Sequence, residues 1–217
     1  MSGWEALQSS LWQSLRIATV ATLGAALLAI PLAYFLARRR IPFKAAIETV
    51  LMLPLVLPPT VVGYYLLVLL GHNGVLSRPF HVSIVWTWIG AAVAAGTVAF
   101  PLLLMPARAA FAAVDREMED VGRLMGASGL QLFWYVSLPM ARRGIGSGVL
   151  LGFARALGEF GATVMVLGIR DRTRTLPILV YDQFESLNPA GLAPAVLLLS
   201  GVTLVILIVY NRVGRAG

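Results

Sequence analysis

Five long apolar runs, over residues 15–37, 47–70, 84–105, 145–167 and 192–210, leave this chain few ways to fold. Each supplies the roughly 20 residues a helix needs to cross about 30 Å of hydrocarbon. Backbone groups surrounded by lipid must be satisfied within their own segment, so such runs become helices rather than loops or open sheet edges. The 217 residues are 59% hydrophobic and 12% charged, about half the charged fraction of a soluble domain. The sequence therefore reads as an all-α polytopic membrane protein, a single domain over residues 1–217 with about five transmembrane helices and membrane lipid as its solvent.

The basic residues set an orientation. Arg38, Arg39, Arg40 and Lys44 follow the first run, Arg108, Arg116, Arg123, Arg142 and Arg143 separate the third from the fourth, and Arg212 and Arg215 follow the fifth. These segments are assigned to the cytoplasm, which puts the N-terminus outside and the C-terminus inside. The opposite side carries Arg78, Arg170, Arg172 and Arg174, the last three diluted by Asp171, Asp182 and Glu185. The first run is longer than a signal-peptide core and ends in three arginines, so it is read as a retained helix. The net charge of +7 forms no single basic face, which argues against a nucleic-acid partner. Cysteine is absent, and His72 and His81 share one polar loop as solvated residues, so no metal site is assigned.

Pro54, Pro58 and Pro59 each remove a backbone donor from the second run, so its helix must kink or break. Such a break suits the wall of a watery pathway, and a merely kinked structural helix suits it equally. In the fourth run Gly144, Gly148, Gly152 and Ala156 recur every fourth residue and form a strip of small residues for close helix contact, within the subunit or across a dimer axis. No repeat relates the two halves of the chain, which weakens a reading built on inverted repeats.

The polar segment at about 107–143 is too long for a simple connector. Residues 114–125 read as a helix ended by Gly126 in the left-handed conformation. Ser128 and Gln131 have the spacing of a capping box, which starts a second short helix. Leu130, Phe133, Trp134 and the small Ser137 recur along it until Pro139, which is expected to end the run. The segment is thus a pair of short helices joined by Gly126-Ala127-Ser128, held at the cytoplasmic surface or lying on the headgroups.

Asp120-Val121-Gly122-Arg123-Leu124-Met125-Gly126, with Val136, Leu138 and Pro139 following, resembles the EAA loop of permease subunits in binding-protein-dependent ABC importers. Phe133 falls where that loop usually has an aromatic. The chain departs from the pattern with Asp120-Val121-Gly122 in place of Glu-Ala-Ala, although Glu119 stands beside Asp120. The resemblance implies a coupling helix docked on a cytoplasmic ATPase, with Glu119, Asp120, Gly122, Arg123, Gly126, Ala127, Ser128, Leu138 and Pro139 as the coupling residues. It further implies two copies of the chain above a pair of ABC ATPases, with ATP and Mg bound by the ATPase and no cofactor in this chain, in a bacterial inner membrane. A separate periplasmic or extracytoplasmic oxyanion-binding protein would deliver the solute.

Three segments are similar to the molybdate permeases of this superfamily: Leu53-Pro54-Leu55-Val56-Leu57-Pro58-Pro59-Thr60, residues 153–163, and Thr175-Leu176-Pro177. Sulfate permeases, the neighbouring branch, more often have Tyr and Ser where Phe160 and Ala162 stand. Molybdate is favoured over sulfate, and tungstate is not separated from molybdate. Arg155 and Glu159 are the ionised residues in the interior of a predicted span, where a charge is costly enough to suggest function. Spaced i and i+4 on one helix they can simply pair. Alternatively Arg155 attracts a passing oxyanion while Glu159 keeps the binding weak, with Thr163, Pro58, Pro59 and Thr60 beside the pathway.

The chain itself lacks the means to use ATP: no GxxxxGK phosphate loop occurs, and Lys44 is the only lysine. With no HExxH, no GxSxG and no pair of intramembrane acids, no catalytic residue is assigned. A membrane-embedded enzyme and an anion channel that works without ATP are the readings from other classes.

Overall fold

The computed structural model describes residues 3–39, 41–72, 74–75, 83–168 and 174–215. Arg40, Arg78, His81, Arg170, Asp171 and Arg172, used above for topology or composition, lie outside the described residues, as does the side chain of Arg215. Every regular element among the described residues is helical. In chain order they are α1 (Gly3–Arg38), α2 (Lys44–Val56), α3 (Pro59–Leu70), α4 (Trp88–Ala113), α5 (Arg116–Leu124), α6 (Gly129–Leu132), a π turn (Phe133–Ser137), α7 (Leu138–Leu157), α8 (Gly161–Leu167), α9 (Leu176–Glu185) and α10 (Pro189–Arg215). Helices α1, α4 and α10 are each long and apolar enough to cross a membrane. The spans number up to five if each of two bent helix pairs is counted as one.

Small side chains decide how the central helices meet. Ala18, Ala21, Ala25, Ala29 and Ala33 form a buried strip on α1 that packs against Ala91, Ala95 and Ala99 of α4. At Gly96 a Cβ would sit 3.1 Å from the Ala21 carbonyl oxygen, so the two backbones approach within a distance that only small residues allow. The glycine strip of α7 does the same on the other side of α4. A Cβ at Gly144 would lie 2.5 Å from the Ala110 Cβ, one at Gly148 3.0 Å from the Leu103 carbonyl oxygen, and one at Gly152 would collide with the Leu103 side chain. This strip serves a contact within the subunit.

The second apolar run folds as two helices bent by 108°, a break rather than a kink. A residue that precedes proline is pushed out of the helical region by the proline ring. Here two such residues stand in series: Leu57 has ψ 144° before Pro58, and Pro58 has ψ 133° before Pro59. Pro59 then opens α3, where its missing N–H costs nothing. The fourth run is also divided, because α7 ends at Leu157 and α8 restarts at Gly161 with a bend of 58°. Helix α9 was not foreseen. It is fastened to α1 by the Leu176 N–H, which donates to the buried Ser14 Oγ at 2.7 Å, and Leu176 and Leu179 pack with Leu7 of α1 and Ala195 of α10.

Candidate functional site

Helix α5 starts one residue after Asp115, whose Oδ1 accepts the Glu117 N–H at 3.0 Å. Val114, placed in this helix by the sequence, is instead the buried residue that closes α4. At the other end Gly126 has φ +86°, the Ala127 N–H reaches the Gly122 carbonyl at 3.0 Å, and the Gly126 N–H reaches Arg123 at 2.9 Å. That pair of bonds is a Schellman motif, and the positive φ explains a glycine there. Both bonds of the capping box follow, with Gln131 N–H to Ser128 Oγ at 3.3 Å and Ser128 N–H to Gln131 Oε1 at 2.7 Å.

Pro139 does not end the second helix. It stands in the first turn of α7, and the chain runs from Gly129 to Leu157 as one helical rod through the π turn. A proline ring inside a regular helix clashes with the carbonyl four residues back. The π turn widens the register just ahead of it, and the Leu138 N–H bonds to the Phe133 carbonyl, which gives the ring room. Phe133 fixes the turn against α1 and α4, with its ring centroid 5.0 Å from that of Tyr34 and 6.0 Å from that of Phe111. The surface helix α6 is therefore the foot of a membrane helix rather than half of an independent hairpin.

The two adjacent acids of α5 have opposite fates. Glu119 is buried, with a side-chain exposure of 2%. Its Oε1 accepts the Ser137 hydroxyl at 2.6 Å and lies 2.8 Å from Arg38 Nη2, while its Oε2 lies 3.4 Å from Arg123 Nη2. Arg38, itself 8% exposed, also donates to the Val114 carbonyl at 3.0 Å. Asp120 faces outward and pairs with Arg123 at 2.5 Å. A buried carboxylate needs both charge and hydrogen-bond partners, and this one takes them from α1, α5 and the π turn. Sequence reading took Arg38 as a topology charge and Ser137 as a weak apolar position, and missed both as partners of Glu119.

Gly122 is explained by crowding, since a Cβ there would lie 2.5 Å from Leu132 Cδ2. Around this contact Gly122, Met125, Gly126, Ala127, Gln131, Leu132, Tyr135 and Val136 line a groove of about 330 Å³. Leu124 and Met125 at its edge are 88% and 83% exposed, and Val121, Leu130 and Tyr135 are exposed with them. A cluster of large apolar side chains on a surface helix is the mark of a docking face. Ser128 caps α6 beside this face, while Leu138 and Pro139 sit behind it in the first turn of α7.

At membrane depth the two helix breaks lie against each other. A Cβ at Gly161 would come within 3.0 Å of Pro59 Cβ and 3.2 Å of the Thr60 nitrogen, and one at Gly63 within 2.8 Å of Ala162 Cα. Arg155 and Glu159 do pair, Nη1 to Oε2 at 2.6 Å, but not along one helix. Glu159 lies in the break after α7, where its Oε1 accepts the Ala162 N–H at 2.8 Å and so occupies one of the free amides of α8. Its carboxylate is buried, whereas Arg155 is 28% exposed. Pro58 and Thr60 are exposed on the rim of the opposing break, and Thr163 is buried within α8. Phe160 packs on Tyr181 of α9 with ring centroids 5.1 Å apart. The Tyr181 hydroxyl is bonded to the Glu185 carboxylate, which raises its pKa above the usual 10.0.

The chain belongs to the family of binding-protein-dependent transport system inner membrane components, whose model matches residues 29–216. It is 39% identical over 189 residues to the molybdenum transport system permease protein ModB of Escherichia coli K12, covering 83% of this chain and 82% of that protein. It is likewise 39% identical over 178 residues to ModB of Haemophilus influenzae, covering 80% of this chain and 78% of that one. Among solved structures, a chain of the MetNI methionine ABC transporter in an inward-facing conformation superposes with a TM-score of 0.76, covering 98% of this chain and 96% of that chain at 17% identity, which shows the shared fold. Membership makes this chain an inner-membrane ABC importer permease, one that works with a partner ATPase and a substrate-binding protein.

Proposed function

We propose that the chain conducts molybdate inward as one of two identical permease subunits, with the N-terminus outside and the C-terminus in the cytoplasm. The observation that carries the mechanism is the unbroken rod from Gly129 to Leu157: it begins at the exposed apolar groove and ends at the Arg155–Glu159 break. A partner ATPase that moves the groove moves the break. Asp120, Arg123, Gly126 and Ala127 form the docking face, while Glu119 holds that face to α1 from within. At the break the partly exposed Arg155 attracts the oxyanion by charge-assisted hydrogen bonds. Its ion pair with Glu159 lowers the net charge so that the solute is not retained. The molybdate reading is supported by the identity with the molybdenum permeases together with the motifs at 53–60, 153–163 and 175–177.

The test is uptake of labelled molybdate and sulfate in a host lacking its own permease, given this chain with its ATPase and binding protein. Saturable molybdate uptake that resists excess sulfate and disappears with a catalytically dead ATPase is expected. Sulfate uptake would move the chain to the sulfate branch, and uptake indifferent to the dead ATPase would overturn the coupling.

A further inference from the structure

A second groove, of about 450 Å³, opens between α1, α2 and α4, separate from the docking face and one turn ahead of the break that ends α2. Val20, Gly24 and Leu28 line one side, Pro54 another and Val93 and Thr97 a third, over the buried Ala21, Ala92 and Gly96. The lining is apolar apart from Thr97, whose hydroxyl donates to the Val93 carbonyl at 2.8 Å. Val20, Leu28 and Val93 are exposed, so the groove opens sideways from the bundle.

Its depth follows from the helices. Arg16 and Arg38 stand about 22 residues apart on α1, roughly 33 Å along the axis, which matches a hydrocarbon layer of about 30 Å. Arg38 lies beside the surface helix α5, so Arg16 lies at the opposite membrane boundary. The groove runs over 20–28 of α1 and 89–100 of α4, about 12–17 Å, the depth of one leaflet. At its outer end Arg16, one turn before Val20, stacks on Trp88, with Cζ 3.8 Å from the ring centroid. A tryptophan at this level is a usual interface anchor. Stacking engages the flat face of the guanidinium and leaves its N–H edge free to bind, and no carboxylate pairs with Arg16 among the described residues.

We propose that this groove holds an acyl chain of a phospholipid from the leaflet remote from α5, with the lipid phosphate bound by Arg16. The cation at the mouth and the leaflet-length apolar channel beneath it match the two halves of that one ligand. The lipid also supplies packing that the chain omits, because α2 buries no residue of its own and meets α4 along only one side. The position of α2, and of the break at its end, then depends on the occupied groove.

The full chain assembled with its ATPase is placed in phosphatidylcholine nanodiscs carrying a photoactivatable phosphatidylglycerol, and crosslinked peptides are mapped by mass spectrometry. Crosslinks are expected to concentrate on residues 20–28 and 93–97. A Cβ at Gly24 would meet no atom within 4 Å, so Gly24→Leu projects into the groove and is expected to remove those crosslinks. Arg16→Gln is expected to lower them about fivefold for phosphatidylglycerol. Crosslinks spread evenly along α1, or unchanged in Gly24→Leu, would overturn the proposal. So would a disulfide between two copies carrying Gly24→Cys, a clean probe in a chain without cysteine, because it would show that a second copy fills the groove.

Discussion

Glu119 accepts a hydrogen bond from Ser137 at 2.6 Å, joining the surface helix α5 to the π turn from which α7 rises. The same carboxylate oxygen holds Arg38 at the foot of α1. Removing one member of a buried charge group strands the others, at a cost of about 3–5 kcal/mol. Glu119→Ala is therefore expected to lower the melting temperature of the purified chain sharply and to loosen α5. Asp120→Asn, at the exposed neighbour, is expected to change stability by less than about 1 kcal/mol while weakening ATPase co-purification. Thermal unfolding and pull-down measured on both variants check the division of labour, and equal melting temperatures would refute it.

Gly126→Val places a β-branched residue at φ +86°, a strain of about 1–3 kcal/mol concentrated in the turn between α5 and α6. Membrane insertion should be unaffected while ATP-driven uptake falls. Normal uptake together with normal ATPase association would remove this turn from the coupling face.

At the helix breaks the two charged residues should behave differently. Arg155→Gln removes the partly exposed cation and is expected to slow oxyanion uptake with the fold intact. Glu159→Ala also frees the Ala162 amide inside the bundle and is expected to destabilise α8. Glu159→Gln retains an acceptor for that amide, so it should restore stability ahead of transport. Uptake and unfolding measured in parallel separate charge from capping.

Pro58→Ala with Pro59→Ala lifts both restrictions on the preceding residues and returns the missing donors. The 108° bend between α2 and α3 should relax toward a straight helix, separating Thr60 from Gly161. Distances between spin labels on cysteines placed in α2 and α3 would report the change, and an unaltered distance would show that contacts with α8 alone impose the bend.

Much of this architecture could be read before any coordinates. The apolar runs, the triple proline and the glycine strip each act through local chemistry, and so do the left-handed Gly126 and the Ser128 capping box. What escaped detection was decided by distant partners. The burial of Glu119 depends on Arg38 reaching across from another helix, and no pattern around residue 119 announces it. Pro139 looked like a terminator because the π turn that accommodates it is held by Phe133 against Tyr34 and Phe111, contacts that exist only in the folded bundle. Helix α9 did carry a readable signal: Thr175 precedes it and Pro177 lies in its first turn, an ordinary start sequence.

The glycine strip on α7 has a mechanical meaning. Its closest approach to α4, around Gly148, divides the rod of 129–157 into arms of about 28 Å toward the groove and 14 Å toward the break. In the proposed coupling, a rod turning at that contact would convert a wide, weak swing at the groove into a shorter and stronger stroke at Arg155 and Glu159. The gearing favours force over travel, as needed to separate tightly seated helices by the few ångströms that one small solute requires.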